Sequence, residues 1–267
     1  MKTLPIDQAL KTCAEIGYQN VELATNPGFP TEPKLLSASD RKNIAAQLEK
    51  LNLSLSAMML NMSLPVNDPT HAQNLENIKT VAQLAHDLSP AHPPLIETVL
   101  GGKPAEWDQI KEKMADRLRS WAEVATQSQI VLGIKAHVAS AVDTPERLLW
   151  LVQQAKSPAI QVDFDYSHFQ LAGLSLEESI KPLLPYTKFI HVKDSIQDGK
   201  KFRFVLPGEG STDYVAYFKL LQAQSYSGPV VVEVSAQIFN QPGYDPVAAA
   251  RKSYTALSEA LHKAKQA

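Results

Sequence analysis

Cysteine is nearly absent from this chain of 267 residues. Cys13 stands alone, which excludes an intramolecular disulfide framework and any zinc ribbon or knuckle. Neither sign of charge dominates: 26 Lys and Arg face 28 Asp and Glu, a net charge of −2. That balance excludes a polybasic nucleic-acid footprint and a disordered acidic tail. No stretch approaches the ~20 apolar residues that a membrane helix needs. Residues Met1–Gln8 run straight into an amphipathic pattern without a signal-peptide hydrophobic region. Gly-rich phosphate motifs are missing as well. Neither G-x-G-x-x-G nor G-x-x-x-x-G-K-[ST] occurs, so no dinucleotide fingerprint or P-loop is present. With 44% hydrophobic residues and no low-complexity tract or linker, a single domain over residues 1–267 is expected. A cytoplasmic location without nucleic-acid or membrane partners is the matching expectation.

What is present is a repeated switch between helical periodicity and short apolar runs. Helices are expected at Ile6–Ile16, Ser39–Leu51, Pro69–Leu88, Trp107–Ser128, Pro145–Ala155, Leu176–Leu184, Tyr214–Gln224 and Asp245–Lys265. Strands are expected at Val21–Leu23, Leu53–Leu60, Leu95–Val99, Ile130–His137, Ile160–Phe164, Phe189–Val192 and Val230–Val234. A polar loop is expected from Val192 to about Thr212. Short strands that are apolar on both faces and separated by helices belong in a buried parallel sheet. At this length the pattern favours an α/β (β/α)8 TIM barrel over an open doubly wound sheet. Only seven strands can be found, so the first is short, vestigial or missing, or is supplied by residues upstream of Met1.

In such a barrel, chemistry gathers where strands exit at the C-terminal face. Four consecutive strands end in ionisable groups there: Lys135 in Gly133-Ile134-Lys135-Ala136-His137, Asp165 in Val162-Asp163-Phe164-Asp165-Tyr166-Ser167-His168, His191 in Phe189-Ile190-His191-Val192-Lys193-Asp194, and Glu233 in Val231-Val232-Glu233-Val234-Ser235. A charge buried at such a position is costly unless it is paired or bound to a metal. His137 shares the face of Lys135, two residues on.

The order and spacing of these segments, with Gly17-Tyr18-Gln19-Asn20-Val21-Glu22-Leu23 and Pro207-Gly208-Glu209-Gly210, resemble the xylose isomerase-like TIM barrel superfamily. That superfamily holds sugar isomerases and epimerases and an apurinic endonuclease branch. The resemblance implies a carbohydrate substrate and one divalent metal, Mn, Mg, Zn or Co, held by a Glu, an Asp, a His and a second Glu. Asp165, His191 and Glu233 match the last three ligands. His168 matches a substrate-contacting histidine, and Arg203 resembles an arginine that holds substrate oxygens.

The first ligand position departs from the family, because Lys135 stands where a Glu belongs. A charged ammonium has no lone pair and cannot ligate. Two Glu, one Asp and a dication sum to −1, and so do one Lys, one Asp and one Glu without a metal. No cofactor is therefore the favoured expectation, with Lys135 bridging Asp165 and Glu233 in place of the ion. If a metal is retained, Asp165, His191 and Glu233 are its expected ligands. Adjacent carboxylates would keep the amine protonated, which argues against a Schiff base.

The expected activity is that of a sugar, sugar phosphate or polyol-ketone isomerase or epimerase. Glu233 would move a proton beside a carbonyl, Lys135 would steady the enolate oxygen, and His137, His168 and Arg203 would contact substrate. The alternatives are a dehydratase or other lyase on a related polyol ketone, and a metal-free sugar-binding homologue without catalysis. The endonuclease activity is disfavoured by the net charge. Loop residues Phe29, Tyr166 and Phe169 are candidates for a stacking wall. Lys193 and Asp194 read as solvated loop charges, and Glu22 as structural, with Glu97 left open. A homo-oligomer is allowed, although no segment marks an interface.

Overall fold

A computed structural model describes residues 1–199 and 201–266. The chain runs α1 (Ile6–Ile16), β1 (Asn20–Ala24), α2 (Ala38–Lys50), β2 (Ser54–Met59), α3 (Asp68–Leu88), β3 (Leu95–Val99), α4 (Trp107–Gln127), β4 (Leu132–Lys135), α5 (Pro145–Ala155) and β5 (Ile160–Asp165). It continues through α6 (Tyr166–Leu171), α7 (Leu176–Ile180), β6 (Thr187–Val192), β7 (Asp194–Asp198), β8 (Lys201–Val205), α8 (Tyr214–Ala223), β9 (Val230–Val232), α9 (Ala236–Phe239) and α10 (Pro246–Gln266).

Local chemistry explains the boundaries. Ser37 and Asp40 form a reciprocal capping box at the start of α2, and Asn67 and Thr144 accept backbone N–H bonds at the starts of α3 and α5. Gly17 ends α1 at φ 116°, and a Cβ there would lie 2.4 Å from the Tyr254 hydroxyl. Glycine is therefore required on both conformational and steric grounds.

Seven parallel strands form one sheet in the order β1-β2-β3-β4-β5-β6-β9, a nearly closed barrel. The expected seven strands are all present, and the eighth is not among the described residues. No hydrogen-bonded ladder joins β9 to β1, so the barrel has an open seam. The main core packs the outward strand faces against the helices, with Trp121, Ile134, Phe164 and Ile190 fully buried. Burying each such large side chain contributes about 1.5–3 kcal/mol. A small second cluster of Ala57, Leu95, Phe189 and Val231 plugs the barrel interior.

The region after Val192 differs from the expected polar loop. It folds into an antiparallel β7–β8 hairpin that pairs Asp194 with Val205 and Ile196 with Arg203. The loop that follows is organised by Asp194, which is fully buried. Its Oδ2 accepts the N–H groups of Gly208 (2.8 Å) and Gly210 (3.0 Å), and its Oδ1 that of Thr212 (3.3 Å). The Pro207-Gly208-Glu209-Gly210 turn is thus a structural device, and Asp194 is not a solvated charge. Among the described residues, no helix is long and apolar enough to cross a membrane.

Candidate active site

Alternation along the parallel strands sends one set of side chains into the barrel above the apolar plug. Glu22 on β1, Glu97 on β3, Lys135 on β4, Asp163 and Asp165 on β5 and His191 on β6 belong to it, together with Lys193 and Glu233 just past β6 and β9. The register places Asp165 beside His191 and Val99 beside Lys135.

Lys135, 3% exposed, directs Nζ to Oε2 of Glu233 at 2.8 Å. The same Nζ lies 3.5 Å from both Glu97 Oε2 and Asp163 Oδ2, and 3.1 Å from Nδ1 of His191. It does not bridge Asp165 and Glu233 as expected. Lys193 makes that bridge: Nζ donates to Asp165 Oδ2 and to Glu233 Oε2 at 3.0 Å. Lys193 is only 3% exposed, so the expectation of a solvated loop charge is corrected. The strand alternation explains this, because Lys193 follows His191 by two residues and faces the same way.

Burial disfavours both ammoniums, but their carboxylates outweigh it. Glu233, Glu97 and Asp163 hold Lys135 well above the ordinary lysine value, and Asp165 and Glu233 raise Lys193. Burial likewise opposes the charge on Asp165, which Lys193 and His168 hold well below the carboxylate range. For Glu233, burial is overcome by Lys135, Lys193 and His191, which keep it ionised. Glu97 has no hydrogen-bond partner on either oxygen, and burial pushes it up to about 8 despite Lys135.

His191 donates Nδ1–H to Asp163 (2.9 Å) and Nε2–H to Glu22 (2.9 Å). Burial opposes its charge, as does Lys135, yet Asp163 and Glu22 hold it well above the usual histidine value. His168 is buried behind this layer, with Nε2 3.4 Å from Asp165 Oδ2 and its ring 4.2 Å from that of His137. Burial and Lys193 lower its pKa. His137 accepts the Ala139 N–H at Nδ1 (3.1 Å), which assigns its proton to Nε2. Burial, then His168, Lys193 and Lys135, push its pKa down to about 3.

A cleft of about 990 Å³ opens along the β1–β9 seam, and Glu22, Lys135, His137 and Glu233 form its charged and imidazole wall. Lys2 stands at its mouth, 4.5 Å from the centre of the Phe29 ring and 5.6 Å from that of Phe239. Two expected substrate contacts fall elsewhere. Arg203 is exposed on the hairpin, because alternation turns its neighbour Phe204 inward, against His168 and Lys193. His168 is not on the cleft wall and reaches it only through His137. Of the stacking candidates, Phe29 lines the cleft, whereas Phe169 is buried in the core and Tyr166 donates to the Leu174 carbonyl.

The expected metal ligands Asp165, His191 and Glu233 are not the set that converges. Among the described residues, Glu97, Asp163 and His191 each offer one ligand atom, all within 4.8 Å of one another. Lys135 Nζ stands within 3.5 Å of a side-chain atom of each. A dication about 3.5 Å from an ammonium, at an effective dielectric near 20, is opposed by about 9 kcal/mol. Both nitrogens of His191 already lie 2.9 Å from a carboxylate oxygen. The donor set, as the chain arranges it, does not fit a divalent metal.

The architecture defines an α/β barrel with a buried cluster of ionisable side chains at one end. The chain belongs to the xylose isomerase-like TIM barrel family, which it matches over residues 10–260. An inosose dehydratase of Mesomycoplasma hyopneumoniae is 22% identical over 257 residues, covering 86% of this chain and 81% of that protein. The structure of a D-psicose 3-epimerase from Clostridium cellulolyticum superposes with a TM-score of 0.78 at 17% identity, over 98% of this chain and 95% of the other. A xylose isomerase-like TIM barrel protein from Mycobacterium smegmatis, in complex with magnesium, superposes with a TM-score of 0.71 at 17% identity, over 98% and 91%.

Proposed function

We propose that the chain is a lyase that removes water from a polyhydroxylated ketone of the sugar or cyclitol class. The observation that carries this reading is the pairing of Glu233 and Lys135 at 2.8 Å on the wall of one cleft. A carboxylate and an ammonium side by side suit the removal of a proton next to a carbonyl.

Glu233 takes the proton from the carbon beside the carbonyl on the carboxylate oxygen that Lys135 and Lys193 do not hold, and the C–H electron pair moves into an enolate. The Lys135 ammonium stabilises the enolate oxygen. The enolate then collapses, the bond to the hydroxyl on the next carbon breaks, and that oxygen recovers the proton from Glu233 and leaves as water. The base is restored, and the product is an unsaturated ketone. His137, neutral and with its proton on Nε2, donates to a substrate hydroxyl. The similarity to an inosose dehydratase supports the same class.

Epimerisation is the second reading. It needs a base on each face of the carbon, and Glu22 is the specific candidate, since it lines the cleft and its Oε1 has no partner. Cyclitol ketones and ketohexoses incubated with the chain in D2O separate the two by NMR and ultraviolet absorption. Loss of water with growth of an enone band, retained in Glu22→Gln, supports the lyase. Deuterium at an inverted carbon without water loss, abolished by Glu22→Gln, replaces it with the epimerase. Binding without turnover rejects both.

A further inference from the structure

Five acidic side chains, two lysines and His191 meet inside this barrel, and one side-chain atom lies at their centre. Lys135 Nζ is within 3.5 Å of Glu97, Asp163, His191 and Glu233. These groups come from four different strands or strand ends, and three of them are the atoms that converge as a metal-type set. A second ammonium, Lys193, completes the arrangement on Asp165 and shares Oε2 of Glu233 with the first. Both lysines are buried, each 3% exposed.

We propose that Lys135 is the resident cation of this site, with Lys193 beside it, the two ammoniums dividing the charge that a divalent ion would bring, so that the chain works without a bound metal. A charge buried this deeply persists only when it is paired, and each ammonium has its own carboxylate as well as the shared one. The covalent tether also fixes where the positive charge stands. An ion would be placed by lone pairs, but here the carboxylates are placed around a side chain. His191 stands within the same cluster, with an Asp163 oxygen 2.9 Å from one ring nitrogen and a Glu22 oxygen 2.9 Å from the other. This inference concerns what holds the positive charge, and it stands whether the product is an enone or an epimer.

One substitution tests it. Lys135→Glu removes the ammonium and sets a ligand-type carboxylate among Glu97, Asp163, His191 and Glu233. A single outer-shell partner changes metal affinity by about 10- to 100-fold, and exchanging a cation for a ligand is expected to exceed that range. Purified full-length chain, treated with chelator and dialysed, is titrated with Mn(II) while free Mn(II) is read by electron paramagnetic resonance. The wild type is expected to leave Mn(II) free. Lys135→Glu is expected to take it up stoichiometrically and to lose it again when Asp163→Asn is added. Lys135→Gln, which removes the charge without adding a ligand, is expected to fall between them and serves if the Glu variant does not fold. Stoichiometric uptake by the wild type, lost in Asp163→Asn, overturns the proposal, and so does a folded pair of variants that bind no more Mn(II) than the wild type. Neither readout depends on turnover.

Discussion

Lys193 and Lys135 share a single oxygen: Oε2 of Glu233 lies 3.0 Å from one ammonium and 2.8 Å from the other. The carboxylate side chain is 23% exposed while the two lysine side chains are 1% and 4% exposed. The ammoniums thus form the inner wall and Glu233 the face turned to the cleft. Glu233→Gln removes the base and leaves two cations without their common partner. Turnover is expected to fall by about 10²- to 10⁴-fold, with a stability loss of about 3 kcal/mol. Steady-state kinetics and a urea midpoint measure the two effects.

Lys193 can be separated from Lys135 by its second partner. Lys193→Met leaves Asp165 buried without its nearest cation, at an expected cost of about 3–5 kcal/mol at neutral pH. Asp165 is depressed in the folded state, so its contribution is complete above the unfolded carboxylate value and disappears as pH falls through the folded one. In Lys193→Met the carboxylate should titrate higher. Carbon-13 NMR of the Asp165 carboxyl, recorded against pH, would show no upward move if Lys193 were not the cause.

The imidazoles set the pH profile of stability. His137 is pushed down to about 3 and His168 is lowered, so below the ordinary 6.5 the unfolded chain takes up protons that the fold does not, and stability falls with acid. For His137 alone this amounts to about 2 kcal/mol by about pH 5. Glu97, raised to about 8, has the opposite sign, losing stability as pH rises from 4.5 through about 8. His191 also loses stability as pH rises, but only above 6.5. A maximum near pH 6.5 follows, and His137→Gln should flatten its acid side. Thermal midpoints across this range test the shape, and a His137 ring proton that titrates near 6.5 would contradict it.

The loop after the hairpin offers a purely structural test. Asp194→Ala removes three backbone N–H bonds to one buried carboxylate, and charged hydrogen bonds contribute about 1.5–3 kcal/mol each. A total loss of about 3–5 kcal/mol is expected, with faster hydrogen exchange at Gly208, Gly210 and Thr212. Gly210→Ala should produce the same exchange pattern, because its Cβ would lie 2.7 Å from the Ser195 carbonyl oxygen and 2.9 Å from Asp194 Cγ. Unchanged exchange in both variants would remove Asp194 from this role.

Hydrophobic periodicity made the barrel readable: α1, β3 and α5 fall on their expected boundaries, and most other elements within a few residues. The β7–β8 hairpin was not readable, since its outer strand carries Lys201 and Arg203 and lacks the apolar run that marks a buried strand. The same hairpin explains why Arg203 misses the cleft. Within the site, Lys135 and Glu233 could be found because they end apolar strands. Lys193 and Asp163 carried an equally plain signal, two residues from His191 and Asp165, but Lys193 reads as a loop charge and Asp163 is not singled out inside its apolar strand. No pattern in one sequence reveals that Glu22 meets His191, because 169 residues separate them and only barrel curvature brings them together.

The seam between β1 and β9 gives the cleft one further property. Because no ladder joins these edges, the peptide groups of β1 and β9 that point into the seam have no strand to pair with, and segments Asn20–Ala24 and Val231–Ser235 border the opening. A ligand that reaches these edges would meet peptide groups that every residue type but proline supplies in full. An alanine scan of this wall will understate its contribution, and proline, which deletes the amide hydrogen itself, is the substitution that exposes it.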